Sequence, residues 1–293
     1  MGIDIHNLNL LAHAQDQGVS FARTLAIGRQ AVHVEPRLLE QHRLRRGLPA
    51  LAPTEWFEPL LTGWYGADQA HSVDASPYEG ATLIHDMNQP WPSQHEARGH
   101  YDAVLDFGCL EHVFDFPTAW RNLVALTRTG GHILHALPAN NLCGHGFYQF
   151  SPELFFNLYR PERGFELLSM FFAIHTEPRH WWRVANPLTL RRRVNLCNGH
   201  EVYLLVVARK LADLPAGTPP QQSDYAMGEW KGRDTTPPPA QPHAATGLLQ
   251  ALGQLDRARR IRDRLRAWRG AALDLPAPDY QRIDVAAFTA RKP

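Results

Sequence analysis

Two aspartates, a glutamate and several histidines stand where short apolar runs of this chain stop or in the loops that follow them. Phe21–Ile27 ends at Gly28, His71–Val73 at Asp74 and Ala81–His85 at Asp86. Tyr101–Phe107 ends at Gly108, with Glu111 and His112 just beyond. A carboxylate at a strand end can accept both hydroxyls of a vicinal diol in a charge-assisted pair of hydrogen bonds. A second one can accept from an exocyclic amine, and a glycine lets backbone approach a ligand with no Cβ in the way. The loop Ala139–Gln149 gathers Asn140, Asn141, His145 and Tyr148 between a strand end and a helix start. Loops held by a scaffold carry function more often than the scaffold itself. His145 or His112 can act as general base near neutral pH, with Tyr148 as a partner.

Each of these residues also has a plain role. Aspartate is a common turn former, Glu111 and His112 can bond around the next helix start, and the loop's asparagines and glycines can simply shape a turn. The chain holds 16 histidines, yet it shows no HExxH, no paired HxH and no Cys/His ladder, so no metal centre is expected.

The elements that must position these groups follow from pattern. Helix-type segments occupy Pro36–Arg46 and Thr54–Trp64, the second interrupted at Pro59. Pro117–Thr129 spaces Trp120, Leu123, Val124 and Thr127 as a helix does and is expected to stop at Gly130-Gly131. A strand, His132–Leu137, is closed by Pro138, and Ser151 caps the helix that begins with Pro152. Phe165–Ile174 and Glu201–Ala208 read as a late antiparallel pair. Between them lie Trp181-Trp182 and Arg191–Arg193, residues that usually cover a sheet edge and form a solvated face.

Strands alternating with helices predict an α/β fold, a doubly wound, mostly parallel sheet with ligands beyond the carboxyl ends of its strands. Residues 1–20 read as an N-terminal arm and 21–212 as the α/β domain. Residues 213–245 read as a proline-rich linker, and 246–293 as an amphipathic helix, Leu248–Arg269, with a tail. The arginine-lined helix fits docking on the main domain, on a second copy or on a partner protein.

Composition narrows the class. A net charge of +1 provides no global field for nucleic acid or an anionic membrane. No run approaches the roughly 20 apolar residues of a membrane helix, and the first residues lack the pattern of a signal peptide. Three scattered cysteines without a CxxC fit a reduced, cytoplasmic setting.

The segment YDAVLDFGCLEHVFDFPTAWRNLVALTRTGG resembles the fourth strand, helix and pre-strand-five turn of class I S-adenosylmethionine-dependent methyltransferases. The preceding SVDASPYEGATLIHDMNQPWP is similar to their second and third strands. The resemblance covers residues 70–175 well and 20–70 poorly. It implies S-adenosylmethionine as cofactor, with Asp74 on the ribose and Asp86 and the Met87 backbone at the adenine. It sets Phe107–Leu110, with Gly108 among them, beside the methionine part and counts Glu111 among the cofactor-binding residues. The family's first loop usually has two or three glycines, with the ribose acid about twenty residues on. Here Gly28 stands alone before Arg29 and Gln30, and Asp74 follows more than twice as far along. Arg29 then becomes the candidate for the cofactor carboxylate. The lack of GxGxxG argues against a nicotinamide dehydrogenase. After the fourth strand the chain reads DFGC rather than Asn-Pro-Pro-Tyr, which points away from exocyclic amines of bases or glutamine. The implied reaction is methyl transfer to an oxygen or nitrogen of a small molecule or sugar. The rival reading is a non-catalytic scaffold of the same fold within a biosynthetic complex.

Overall fold

The structure, a computed structural model, describes residues 2–190, 193–196, 198–214, 219–226 and 279–289. A two-residue strand, β1 (Gly2–Ile3), turns at once into α1 (Ile5–Asp16). Asp4 starts that helix by accepting from the Asn7 N–H at 3.0 Å, while the Asn7 side chain accepts from the Asp4 N–H at 2.8 Å. β2 (Arg23–Ile27), β3 (Ala31–Val32), α2 (Pro36–Arg46) and α3 (Glu58–Tyr65) follow. Then come β4 (Gln69–Asp74), β5 (Leu83–Ile84), β6 (Tyr101–Phe107) and α4 (Phe116–Leu126). β7 (Thr127–Asn140), α5 (Pro152–Leu158), β8 (Phe165–Ile174), β9 (His180–Val184), β10 (Val202–Lys210) and β11 (Tyr280–Asp284) complete the named elements.

Among the described residues, nine strands make one sheet in the order β11-β9-β8-β10-β7-β6-β2-β4-β5. The run from β7 to β5 is parallel, and β10 lies antiparallel between β7 and β8. From β2 the chain winds outward to β4 and β5, then crosses back to β6 and β7 on the other side. Strand order therefore reverses between β2 and β6, where crevices open in such sheets. Alternate residues of each strand feed opposite faces. Val104, Ile133 and Leu204 pack with Trp120 and Leu123 of α4 and Phe155 of α5. Leu105, Leu134 and Leu205 pack with Leu8 and Leu11 of α1 and Leu61 of α3. Helices on both faces of a mostly parallel sheet make the fold doubly wound and Rossmann-like.

The structure moves several elements from where pattern set them. Residues 1–20 hold a helix buried from His6 to Ala14, packed against the sheet rather than standing off as an arm. Pro59 does not interrupt α3 but sits in its first turn, where no intrahelical N–H is needed. α4 stops at Leu126, before the glycines, and Gly130 and Gly131 lie inside β7. A Cβ on Gly131 would come within 2.9 Å of the Tyr101 carbonyl, so the close approach of β6 requires glycine there. β7 also runs through Pro138, next to a register shift with β10 that accommodates a residue without an N–H. Trp181 and Trp182 form no solvated face: they belong to β9 and point to opposite sides of the sheet, both buried. β10 and β8 pair antiparallel, as read from the sequence. Helix Leu248–Arg269 falls outside the described residues.

Candidate functional site

The carboxyl ends of β2, β4 and β6 meet at the strand-order reversal. Gly28 and Gly108 close β2 and β6 with φ of 75° and 86°, a region where a side chain is strained. The Gly28 N–H donates to the Val73 carbonyl at 2.7 Å, drawing the end of β2 against β4. Asp74, half-buried at the end of β4, accepts from its own neighbour Ala75 at 2.7 Å and from the Arg29 N–H at 3.4 Å. Only backbone donors hold this carboxylate among the described residues, so oxygen lone pairs remain for a ligand. The turn beyond β5 is closed by Asp86, whose Oδ1 accepts from the N–H and Nδ2 of Asn88, both at 2.9 Å. Those bonds lower the Asp86 carboxyl below its ordinary range.

Beyond β6 the chain makes one turn of 3-10 helix, Leu110–His112, and there a cavity of about 250 Å³ opens. Phe107, Gly108, Glu111, His112 and His145 line it from the sheet side, and Asp4, His6 and Asn7 of the α1 start face them. Glu111 is 0% exposed, and neither of its carboxylate oxygens has a hydrogen-bond partner among the described residues. Burial, followed by the nearby Asp106, pushes its pKa up to about 8. The Nε2 atoms of His145 and His112 lie 3.4 and 3.8 Å from Glu111 Oε1. Burial and the adjacent His145 lower the pKa of His112. Cys109, packed against the core, has its thiol pushed up by burial and by Asp106, Glu111 and Asp74, so these three carboxylates act on one end of the sheet.

The turn that carries Glu111 is held from below and from above. Below, Asp106 Oδ1 accepts from the N–H groups of Cys109 and Leu110 at 3.2 and 3.1 Å. Its Oδ2 lies 2.6 Å from His135 Nδ1, and His135 Nε2 lies 2.6 Å from the Tyr159 hydroxyl. Trp120 Nε1 donates to that hydroxyl at 3.2 Å. With the proton on Nδ1, every member of this buried chain is satisfied. Above, the loop after β7 folds down, and the Phe147 N–H donates to the Glu111 carbonyl at 2.7 Å. Gly146, at φ 77°, makes that approach, since a Cβ would stand 2.7 Å from the same carbonyl.

The structure thus brings Glu111, His112 and His145 together with Phe107 and Gly108. It sets Gly28, Asp74 and Asp86 along the neighbouring strand ends. Arg29 is otherwise engaged. Its Nε donates to Glu58 at 2.9 Å, its Nη1 to the Glu79 and Gly80 carbonyls, and its guanidinium lies 4.2 Å over Trp56. A cofactor carboxylate would have to compete with Glu58 for it. Tyr148 is turned from the cavity, its hydroxyl donating to the Phe114 carbonyl at 2.7 Å, so it pins the loop instead of serving as a partner base. The Met87 carbonyl accepts from Asn122 and its side chain is buried, leaving Asp86 as the open acceptor of that turn.

Sequence reasoning missed Asp106, His135 and Tyr159, and it missed α1 as a wall of the cavity. A signal for α1 was present in Asp4 and Asn7, a capping pair three residues apart. Its burial on all sides removed the apolar stripe that normally reveals a helix. His135 and Tyr159 sit on different elements, and nothing local ties them to Asp106.

No protein-family model and no curated protein matches the chain. Among solved structures it is similar to 1,6-didemethyltoxoflavin-N1-methyltransferase from Burkholderia thailandensis, solved with 1,6-didemethyltoxoflavin and S-adenosylhomocysteine. Identity is 15%, coverage 71% of this chain and 78% of that one, and the TM-score 0.38. The N-methyltransferase NodS from Bradyrhizobium japonicum WM9, with S-adenosylhomocysteine, is 12% identical over 71% and 87% of the two chains, at a TM-score of 0.39. The branched-chain polyamine synthase of Thermus thermophilus, with N4-aminopropylspermidine and 5'-methylthioadenosine, is 14% identical over 72% and 58%, at 0.37. The fold assignment rests on the strand order above. Among the described residues, no helix is long and apolar enough to cross a membrane.

Proposed function

We propose that this protein is an S-adenosylmethionine-dependent methyltransferase acting on an oxygen or nitrogen of a small molecule or sugar. The observation that carries the reading is the placement, at one strand-order reversal, of a strand-end carboxylate held only by backbone donors, Asp74, beside a cavity lined by Glu111, His112 and His145. The strand ends would hold the cofactor. Asp74 keeps lone pairs for the ribose diol, Asp86 for the adenine amine, and Gly28 and Gly108 admit a ligand against backbone. Phe107 and Gly108 line the cavity at the end of β6, the side proposed for the methionine part. When bound, the cofactor supplies a methyl carbon on a positively charged sulfur that leaves as a neutral thioether.

This chain's part is positioning and proton removal. The cavity between β6, the loop after β7 and the start of α1 holds the acceptor near that carbon, and proximity alone can lower a barrier by several kcal/mol. As the new bond to carbon forms, the acceptor's proton passes to the Glu111, His112 and His145 cluster, with His145 as the exposed member and Glu111 as the buried one. Asp106, His135 and Tyr159 touch neither ligand nor acceptor and act as positioning residues for the turn.

The test is transfer of a labelled methyl group from S-adenosylmethionine to a panel of hydroxylated and amino-bearing small molecules. Label in a product with the wild type, and none with Asp74→Ala, supports the reading. A single observation favours the non-catalytic scaffold: Arg29 ties the end of β2 to Glu58 and to the turn at 79–80, where an emptier glycine loop would leave room. Under that reading Asp74→Ala is silent, and removal of residues 245–278 disrupts function instead. The deletion spares β11, because that strand belongs to the sheet.

A further inference from the structure

We propose that Glu111, His112 and His145 form a binding site for one divalent transition-metal ion. The three donor atoms, one carboxylate oxygen and two imidazole nitrogens, all lie within 4.8 Å of one another. Their separations have the size of ligand spacings. Around an ion with bonds of about 2.0–2.1 Å, tetrahedral ligands stand about 3.4 Å apart. His145 Nε2 and His112 Nε2 lie 3.4 and 3.8 Å from Glu111 Oε1. A direct charge-assisted hydrogen bond would have closed to about 2.7–2.9 Å.

Glu111 provides the second, independent ground. Its side chain is fully buried, faces the cavity, and has both oxygens without a hydrogen-bond partner among the described residues. An orphaned carboxyl of this kind costs the fold free energy unless something satisfies it. A cation does so, and the imidazoles complete the set: two nitrogens and one carboxylate suit zinc, iron or nickel better than magnesium or calcium. The donors are held ready. Glu111 and His112 share a turn fastened by Asp106, and Gly146 and Phe147 clamp the loop of His145 onto the Glu111 backbone. Three protein ligands with an open side toward the cavity leave positions for water or for an acceptor oxygen. The sequence concealed the set because one ligand comes from a loop one strand and one helix further along, a spacing that no short motif covers.

The inference stands apart from methyl transfer, since the ion can bind whether or not the cofactor does. If both hold, Glu111 and the two imidazoles serve the ion as ligands in place of the proton-accepting role proposed above, and the ion would lower the pKa of a bound acceptor hydroxyl, whose proton then leaves to solvent. The test uses tag-free full-length protein, stripped with a chelator and titrated with Co²⁺ alone, read by its visible d–d absorption and by Zn²⁺ competition. One equivalent bound with an imidazole-carboxylate spectrum is expected. Glu111→Gln and His145→Asn should each weaken affinity by about 100-fold or more. His145 is half-exposed on a loop, so its variant keeps the wild-type melting temperature and serves if Glu111→Gln misfolds. Absence of the absorption bands, or one equivalent bound equally by wild type and both variants, would overturn the site. Either result leaves the cofactor's own binding to be read separately in chelator.

Discussion

At the end of β2 and β4, the charged side chains that bracket the crevice are already paired: Arg29 with Glu58, and Asp74 with two backbone N–H groups. Beyond β6, Glu111 lies buried with no hydrogen-bond partner among the described residues, its Oε1 3.4 and 3.8 Å from two imidazole nitrogens. A region whose polar groups are satisfied can serve as a rigid frame for a ligand that makes only a few new bonds. A region that keeps an unsatisfied buried carboxyl sacrifices stability at the place where something else must bind. Under the proposed function, anchoring belongs to the first region and chemistry to the second.

The variant that strains this contrast most is Glu111→Gln. Label transfer to the acceptor should fall by about 100-fold or more, while the melting temperature holds, because one buried neutral group replaces another of the same shape. A drop in melting temperature of several degrees would mean that Glu111 is a structural residue after all. Next comes the support below the turn. His135→Phe leaves Asp106 Oδ2 buried without its partner, so urea unfolding should register a loss of about 3 kcal/mol. Unchanged stability would remove the network from the account.

Acid should separate the two regions. Burial, aided by Arg45 and Arg46, lowers His42 to about 3, and burial with Arg183 lowers His13 to about 4. Both pack on α1, His13 as part of it and His42 through Asn9. Below their ordinary value of 6.5 the unfolded chain takes protons that the fold refuses. The stability they provide is complete above that value and drains away as pH falls toward 4, by about 1.4 kcal/mol per pH unit per histidine. Hydrogen exchange between pH 7 and 4.5 should therefore show α1, the cavity's outer wall, loosening before β2 and β4. Simultaneous loosening of α1 and those strands would contradict this division. The smallest effect belongs to Arg29→Ala. It removes one partly exposed ion pair and a ring contact worth about 1 kcal/mol together. Cofactor affinity should move by less than about threefold, and a larger loss would return Arg29 to the cofactor carboxylate.

Much of the frame was legible in advance. The strand ends at Gly28, Asp74 and Gly108 are legible because apolar runs stop there, and such ends are where ligands bind in sheets of this kind. Glu111 with His112, and His145, each carry a signal in the sequence, but their convergence depends on a loop folding back over a turn through Gly146. Arg29 and Tyr148 stand out by position, one beside the lone Gly28 and the other three residues past His145, and tertiary partners claim both: Glu58 and Trp56 for the first, the Phe114 carbonyl for the second. α1 was lost because polar His6, Asn7, Asn9 and His13 are buried along with its leucines, which erases the usual two-sided pattern. The strand at Trp181-Trp182 was hidden by the basic stretch that follows it.

The central claim is that the crevice at the ends of β2 and β4 holds the adenosine of a sulfonium cofactor through Asp74. Its most direct test is isothermal titration of the full-length protein with S-adenosylhomocysteine, alongside Asp74→Ala. The account predicts one site of micromolar affinity in the wild type, and a loss of about 100-fold or more in the variant, whose circular dichroism and melting temperature stay unchanged. No heat at millimolar ligand, or equal affinity in both proteins, would contradict it.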